Sequence, residues 1–260
     1  MIPPEYETGS TKPVNLLPEN KLGKVPFWDL LLTLVALLIV MFFVWPIVFD
    51  YLKDGLHLES VWVVALTVIF QNVLLLCAIR FFILAKNKLE WRDIGFVAIP
   101  LSKCLQTLYL VLPLVVVVGA VNAAMIYLVD SDFTNPQLSL LAPDGFSFQA
   151  FLIMLLVTGT IAPFVEEITF RGLILLWLEP RFGTVIAITG SSLLFATVHT
   201  VPMLIPALTV AGIAFALISR KSGSLWPAII LHGAFNMTMT SLLFFALAQE
   251  GAQAGNPPGF

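Results

Sequence analysis

Seven runs of roughly twenty predominantly apolar residues leave this chain few ways to fold. They cover about residues 27–49, 60–85, 105–129, 148–178, 183–200, 203–219 and 225–248. A run of that length reads as a membrane-crossing helix. Composition agrees: 59% of the 260 residues are hydrophobic, 11% are charged, and the mean hydropathy is +0.97. A soluble domain carries about a quarter charged residues. The expected fold class is therefore all-α: a polytopic transmembrane helical bundle of about seven spans, with six to eight as the range. Pro163 lies inside the fourth run, and proline removes a helix hydrogen bond, so that run could split into two segments.

The rest of the chain adds no second module. Residues 1–26 are polar and carry five prolines, which reads as a disordered tail. Residues 27–250 form one helical domain, and 251–260 a flexible C-terminal tail. Lysine and arginine alternate along the connections. Lys12, Lys21 and Lys24 precede the first run; Lys86, Lys88, Arg92 and Lys103 follow the second; Arg181 follows the fourth; Arg220 and Lys221 follow the sixth. The intervening connections carry only Lys53. The positive-inside bias then places the N-terminus in the cytoplasm. The net charge of −3 is spread out, and no basic patch points to nucleic acid. The two cysteines, Cys77 and Cys104, lie in or beside apolar runs and make no disulfide framework. The segment LEWRDIGF reads as a short interfacial helix with Trp91 at the headgroup level.

The fourth run holds ionisable residues where hydrocarbon or packed helices should surround them: Glu166, Glu167 and Arg171. Each costs about 2.5–3.5 kcal/mol on insertion scales. Glu167 and Arg171 are four apart, so they stack on one helix face and can pair. Glu166 is rotated about 100° from Glu167 and is left over, which makes it a candidate base. The fifth run ends in FATVHT, with Phe195 and His199 on one face. The last run carries His232 and Asn236, also four apart, with Gly233 between them for close approach. Counting about 1.5 Å per residue, Glu166 and His199 lie at similar depth and His232 and Asn236 somewhat lower. One shared site explains this better than four separate structural accidents. Gln71, Asn72 and Asn122 read as uncharged bridges between helices.

Three motifs in order, E-E-x-x-x-R (Glu166, Glu167, Arg171), F-x-x-x-H (Phe195, His199) and H-x-x-x-N (His232, Asn236), resemble the type II CAAX prenyl endopeptidase family. It is also called the CAAX protease and bacteriocin-processing, or Abi-type, family. FRGLI after the glutamates and SGSLWPAIILH before His232 strengthen the resemblance, which covers about residues 148–243, the expected catalytic core. It implies a glutamate-type intramembrane endopeptidase without a cofactor. Glu166 would be the general base and His199 its partner on the attacking water. His232 and Asn236 would stabilise the oxyanion, Glu167 and Arg171 would support the site, and Phe195 would pack beside it. The implied partners are membrane lipid and a peptide or membrane-anchored substrate, and the expected location is a bacterial plasma membrane. Two other readings use the same residues. Glu166, His199 and His232 could form a two-histidine, one-carboxylate zinc site. Alternatively, the polar cluster could be a structural lock in a non-catalytic scaffold or peptide-immunity protein.

Overall fold

A computed structural model describes residues 20–142 and 145–253. The described residues form eight principal helices: α1 (residues 27–55), α2 (Ser60–Ala85), α3 (Leu101–Val129), α4 (Pro136–Leu141), α5 (Phe148–Phe182), α6 (Thr184–Thr197), α7 (Ile205–Ser222) and α8 (Trp226–Gln253). Among the described residues, five helical segments are long and apolar enough to cross a membrane: α2, α3, α5, residues Pro202–Ser222 containing α7, and α8 as far as Glu250. The shorter apolar stretch Phe27–Ala36 at the start of α1 and the helix Thr184–Thr197 occupy the places of the expected first and fifth spans. The fourteen residues of α6 reach only about 21 Å at 1.5 Å per residue, short of a hydrocarbon core of about 30 Å. Apolar side chains such as Phe42, Phe43, Leu112, Tyr127 and Phe245 stand exposed on the outside, as hydrocarbon-facing surfaces require.

Small residues build the centre. Ser192 and Ala196 on α6 face Ala207, Ala211 and Gly212 on α7, and all five are tightly packed. A Cβ on Gly212 would stand 2.9 Å from the Ser192 Cβ, so glycine here sets the helix separation. Around this pair, Ile94, Leu173, Phe195, Phe215 and Leu231 form a continuous core.

Helix α5 runs unbroken through Pro163, so the fourth run stays one segment and the alternative split does not occur. A π-helical turn at Val157–Ile161 absorbs the proline, with the Ala162 N–H donating to the Val157 carbonyl five residues back. That shift assigns the Thr158 carbonyl to residue 163, whose nitrogen has no hydrogen to give.

The N-terminal segment departs from the expected tail. Residues 1–19 lie outside the described residues, but 20–26 dock tightly against α5. Asn20 caps a 3-10 turn at Lys21–Lys24, and Leu22 and Val25 are buried. The Asn20 Nδ2 donates to the Leu176 carbonyl at 2.8 Å. That carbonyl lies four residues before Pro180 and so lacks its helical donor. The Arg181 guanidinium donates to the carbonyls of Leu22, Gly23 and Val25, and the Trp177 Nε1 also donates to Val25. Composition alone missed this docking because the partners are backbone carbonyls. At the other end, residues 251–253 continue α8, and 254–260 lie outside the described residues. The segment read as an interfacial helix is a 3-10 turn at Trp91–Ile94; the carbonyl of Gly95 just after it receives the Leu225 N–H at 2.9 Å. Asn72, read as a bridge, hydrogen-bonds within its own helix to Val68.

Candidate active site

The buried ion pair is where its spacing puts it. Arg171 Nη1 donates to Glu167 Oε1 at 2.9 Å, and both side chains are sealed from solvent. Arg171 Nη2 donates to the Gly212 carbonyl at 2.9 Å, and the guanidinium lies 4.7 Å from the Phe195 ring centroid. Carboxylate, carbonyl and aromatic face replace part of the water that a buried cation loses, while Arg171 Nε and Glu167 Oε2 are buried without a hydrogen-bond partner among the described residues.

His232 closes the cluster. Its Nδ1 lies 2.8 Å from Glu167 Oε1, and a carboxylate oxygen facing a ring nitrogen accepts, so Nδ1 carries a hydrogen. The ring stacks on Phe215 at 4.3 Å and meets the edge of Phe195 at 5.5 Å. With one nitrogen held, Phe215 stacked on the ring and Phe195 against it, Nε2 has a fixed direction, and it stands 3.6 Å from Glu166 Oε2. His232 thus bridges the two adjacent glutamates. Glu167 is fully buried while the Glu166 side chain is 27% exposed, so only Glu166 can meet an incoming molecule.

His199 joins from just past the end of α6. Its Nδ1 lies 2.8 Å from the Phe195 carbonyl. A carbonyl only accepts, so Nδ1 carries a hydrogen, and in the neutral ring the lone pair is on Nε2. The ring packs on Phe195 at 4.9 Å and is half buried. No hydrogen bond or ion pair joins Glu166 to His199 among the described residues. The direct neighbour of Glu166 is His232, which α8 brings in from a distant part of the chain.

Asn236 is committed to the backbone. Its Nδ2 donates at 3.0 Å to the Thr158 carbonyl, the one orphaned at Pro163. One amide hydrogen is therefore spent, and the other and Oδ1 stay available. Between His232 and Ala234, Gly233 lets α8 touch α5: a Cβ there would lie 2.4 Å from the Gly159 carbonyl oxygen. Sequence reading missed Thr158, Gly212 and Phe215; only Pro163 carried a signal that a carbonyl nearby would need a donor.

Beside these residues runs a cleft of about 610 Å³ between α2, α3, α5 and α8. Its walls include Val73, Leu76, Leu108, Phe164, Ile229 and Met237. It also reaches Val165 and Gly233, the chain neighbours of Glu166 and His232. Among the described residues no group of three or more His, Cys, Asp or Glu side chains could hold a metal ion.

The same segment has a counterpart among known families. Residues 148–238 match the family model described as Type II CAAX prenyl endopeptidase Rce1-like. The match starts at the first residue of α5 and takes in Glu166, His199, His232 and Asn236. It bears out the resemblance carried by the three motifs: the matched family is one of endopeptidases, and the segment lies among helices long and apolar enough to cross a membrane. No curated protein and no solved structure matches the chain.

Proposed function

We propose that the protein is an intramembrane endopeptidase of glutamate type, in which water activated at Glu166 hydrolyses a peptide bond of a membrane-associated or lipidated substrate. The observation that carries this is the pair of glutamates separated by His232. Glu167 is locked to Arg171 and to His232 Nδ1, while Glu166 is partly open and faces His232 Nε2 at 3.6 Å. One carboxylate holds the site and the other is free to react.

The Glu166 carboxylate takes a proton from water, and the hydroxyl adds to the scissile carbonyl carbon. His199 Nε2, with its lone pair free, helps orient that water. For the oxyanion, His232 must carry hydrogen on both nitrogens, Nδ1–H to Glu167 and Nε2–H to the developing charge, and the spare Asn236 amide hydrogen would be the second donor. The proton on Glu166 passes to the leaving amine, the C–N bond breaks, and the carboxylate is restored. The products are a carboxylic acid and an amine, which settle as carboxylate and ammonium, and no cofactor enters. The apolar cleft at Val165 and Gly233 supports a substrate with an apolar segment. The alternating lysines and arginines support an N-terminus in the cytoplasm.

The test is cleavage of a panel of membrane-anchored and lipidated peptides by purified protein, with Glu166→Gln, His199→Ala and chelator-treated samples alongside. The expected result is chelator-resistant cleavage that both substitutions abolish. Cleavage lost to chelator points to a metal-dependent site, and cleavage surviving Glu166→Gln removes the reading.

A further inference from the structure

His199 lies beyond the last turn of α6, where carbonyls have no helical donor. Thr200 follows with φ +58° and turns the chain away. The His199 carbonyl receives a side chain instead: Nε2 of Gln137 donates to it at 3.1 Å, from 62 residues earlier in the chain. Helix α4 is built to present that amide. Asn135 caps it, with Oδ1 accepting the Gln137 N–H at 3.0 Å, and Pro136 opens it with a preset φ. Gln137 is half buried, so its hydrogen bond is partly shielded from competing water.

His199 is therefore held twice. Its ring is fixed by Nδ1–H to the Phe195 carbonyl, and its backbone is fixed by Gln137. The ring bond alone spans one turn of the same helix end, and helix ends fray. Gln137 ties that end to a different element.

We propose that Gln137 is a positioning residue for the site: it fixes the backbone of His199 so that the ring keeps its hydrogen on Nδ1 and presents the Nε2 lone pair. This rests on the role proposed for His199 in orienting water. Gln137 touches no reacting atom and acts only through His199.

The test has a readout independent of catalysis. Histidine-selective ¹⁵N NMR of the full-length protein in detergent micelles reports the tautomer of each ring, and His199→Ala assigns the His199 signals. Three variants are compared with wild type: Gln137→Met, similar in length with no donor; Gln137→Glu, similar in shape with an acceptor for the donor; and Gln137→Lys, which keeps a donor. In wild type the neutral His199 ring is expected in the Nδ1–H form. Both Met and Glu should shift it toward a mixture, and Lys should restore it. In parallel, kcat should fall by roughly 10- to 100-fold in Met and Glu, with KM changed less than about twofold. If Gln137→Met fails to fold, the comparison of Glu with Lys decides the matter. An unchanged tautomer in both Met and Glu overturns the inference. A tautomer shift in the variants, with a wild type that cleaves nothing, keeps the positioning and removes only the proposed reaction.

Discussion

His232 donates its Nδ1–H to Glu167 across 2.8 Å, and the same carboxylate oxygen receives Arg171 at 2.9 Å. One oxygen of Glu167 therefore sets both the guanidinium and the imidazole. Removing it strands a buried cation and frees the ring at once. Glu167→Ala should destabilise the protein by about 3–5 kcal/mol, the range for breaking one side of a buried pair. Glu167→Gln should cost less, because its amide oxygen still accepts. Thermal unfolding in detergent ranks the three proteins, and equal midpoints for Ala and wild type would show that the triad does not hold the bundle.

Glu166 makes the opposite case. Its side chain is partly open, and its nearest ionic neighbour is 3.6 Å away, so little packing depends on its charge. Glu166→Gln should leave the unfolding free energy within about 0.5 kcal/mol while lowering kcat by roughly 10²- to 10⁴-fold. A parallel loss of stability and activity would make Glu166 a structural residue.

The Thr158 carbonyl ties the fold to the site. It lacks a helical donor because of Pro163, and Asn236 supplies one at 3.0 Å. Asn236→Ala should cost about 1–3 kcal/mol for the orphaned carbonyl. In a Pro163→Ala background a backbone N–H returns to that turn, so the same substitution should cost clearly less. Activity should not recover in the double variant, since the spare amide hydrogen is still missing. A double-mutant cycle measures the coupling, and strict additivity would refute it.

These relationships divide what was legible in the sequence from what was not. The Glu167–Arg171 pair was legible because helical geometry alone puts positions four apart on one face. The gathering of α5, α6 and α8 was legible because polar residues recur at matching depth in successive apolar runs. The pairing of Glu166 with His232 was not, since rotation and tilt of whole helices decide which imidazole reaches a carboxylate. Asn236 shows a further limit. Pro163 announces a carbonyl without a donor, but nothing local says that the donor comes from 78 residues away. Asn20 repeats the pattern at Pro180, which is why residues 20–26 are docked despite a tail-like composition. The Gln137 contact left no periodicity to read, because it joins a short connecting helix to a helix end.

The docked N-terminus carries a pH dependence. Burial pushes the Asp93 carboxyl up, but the Glu90 N–H and the Lys21 ammonium at 3.0 Å outweigh it and hold the carboxyl below the usual carboxylate range. A group with a lowered folded-state pKa adds stability above its unfolded value of about 3.9 and loses it as pH falls through the folded value. Residues 20–26 should therefore stay docked at neutral pH and loosen below about pH 4. Lys21 is 44% exposed, so screening keeps the effect small, roughly fivefold in local opening. Hydrogen-exchange protection of the Leu22 and Val25 amides, followed from pH 7 to pH 3 and corrected for intrinsic rates, reports it. Asp93→Asn should show the weaker protection across the whole range, because an amide cannot pair with the ammonium. Protection that stays level in wild type down to pH 3 would mean that Arg181 and Asn20 hold the segment without the Lys21–Asp93 pair.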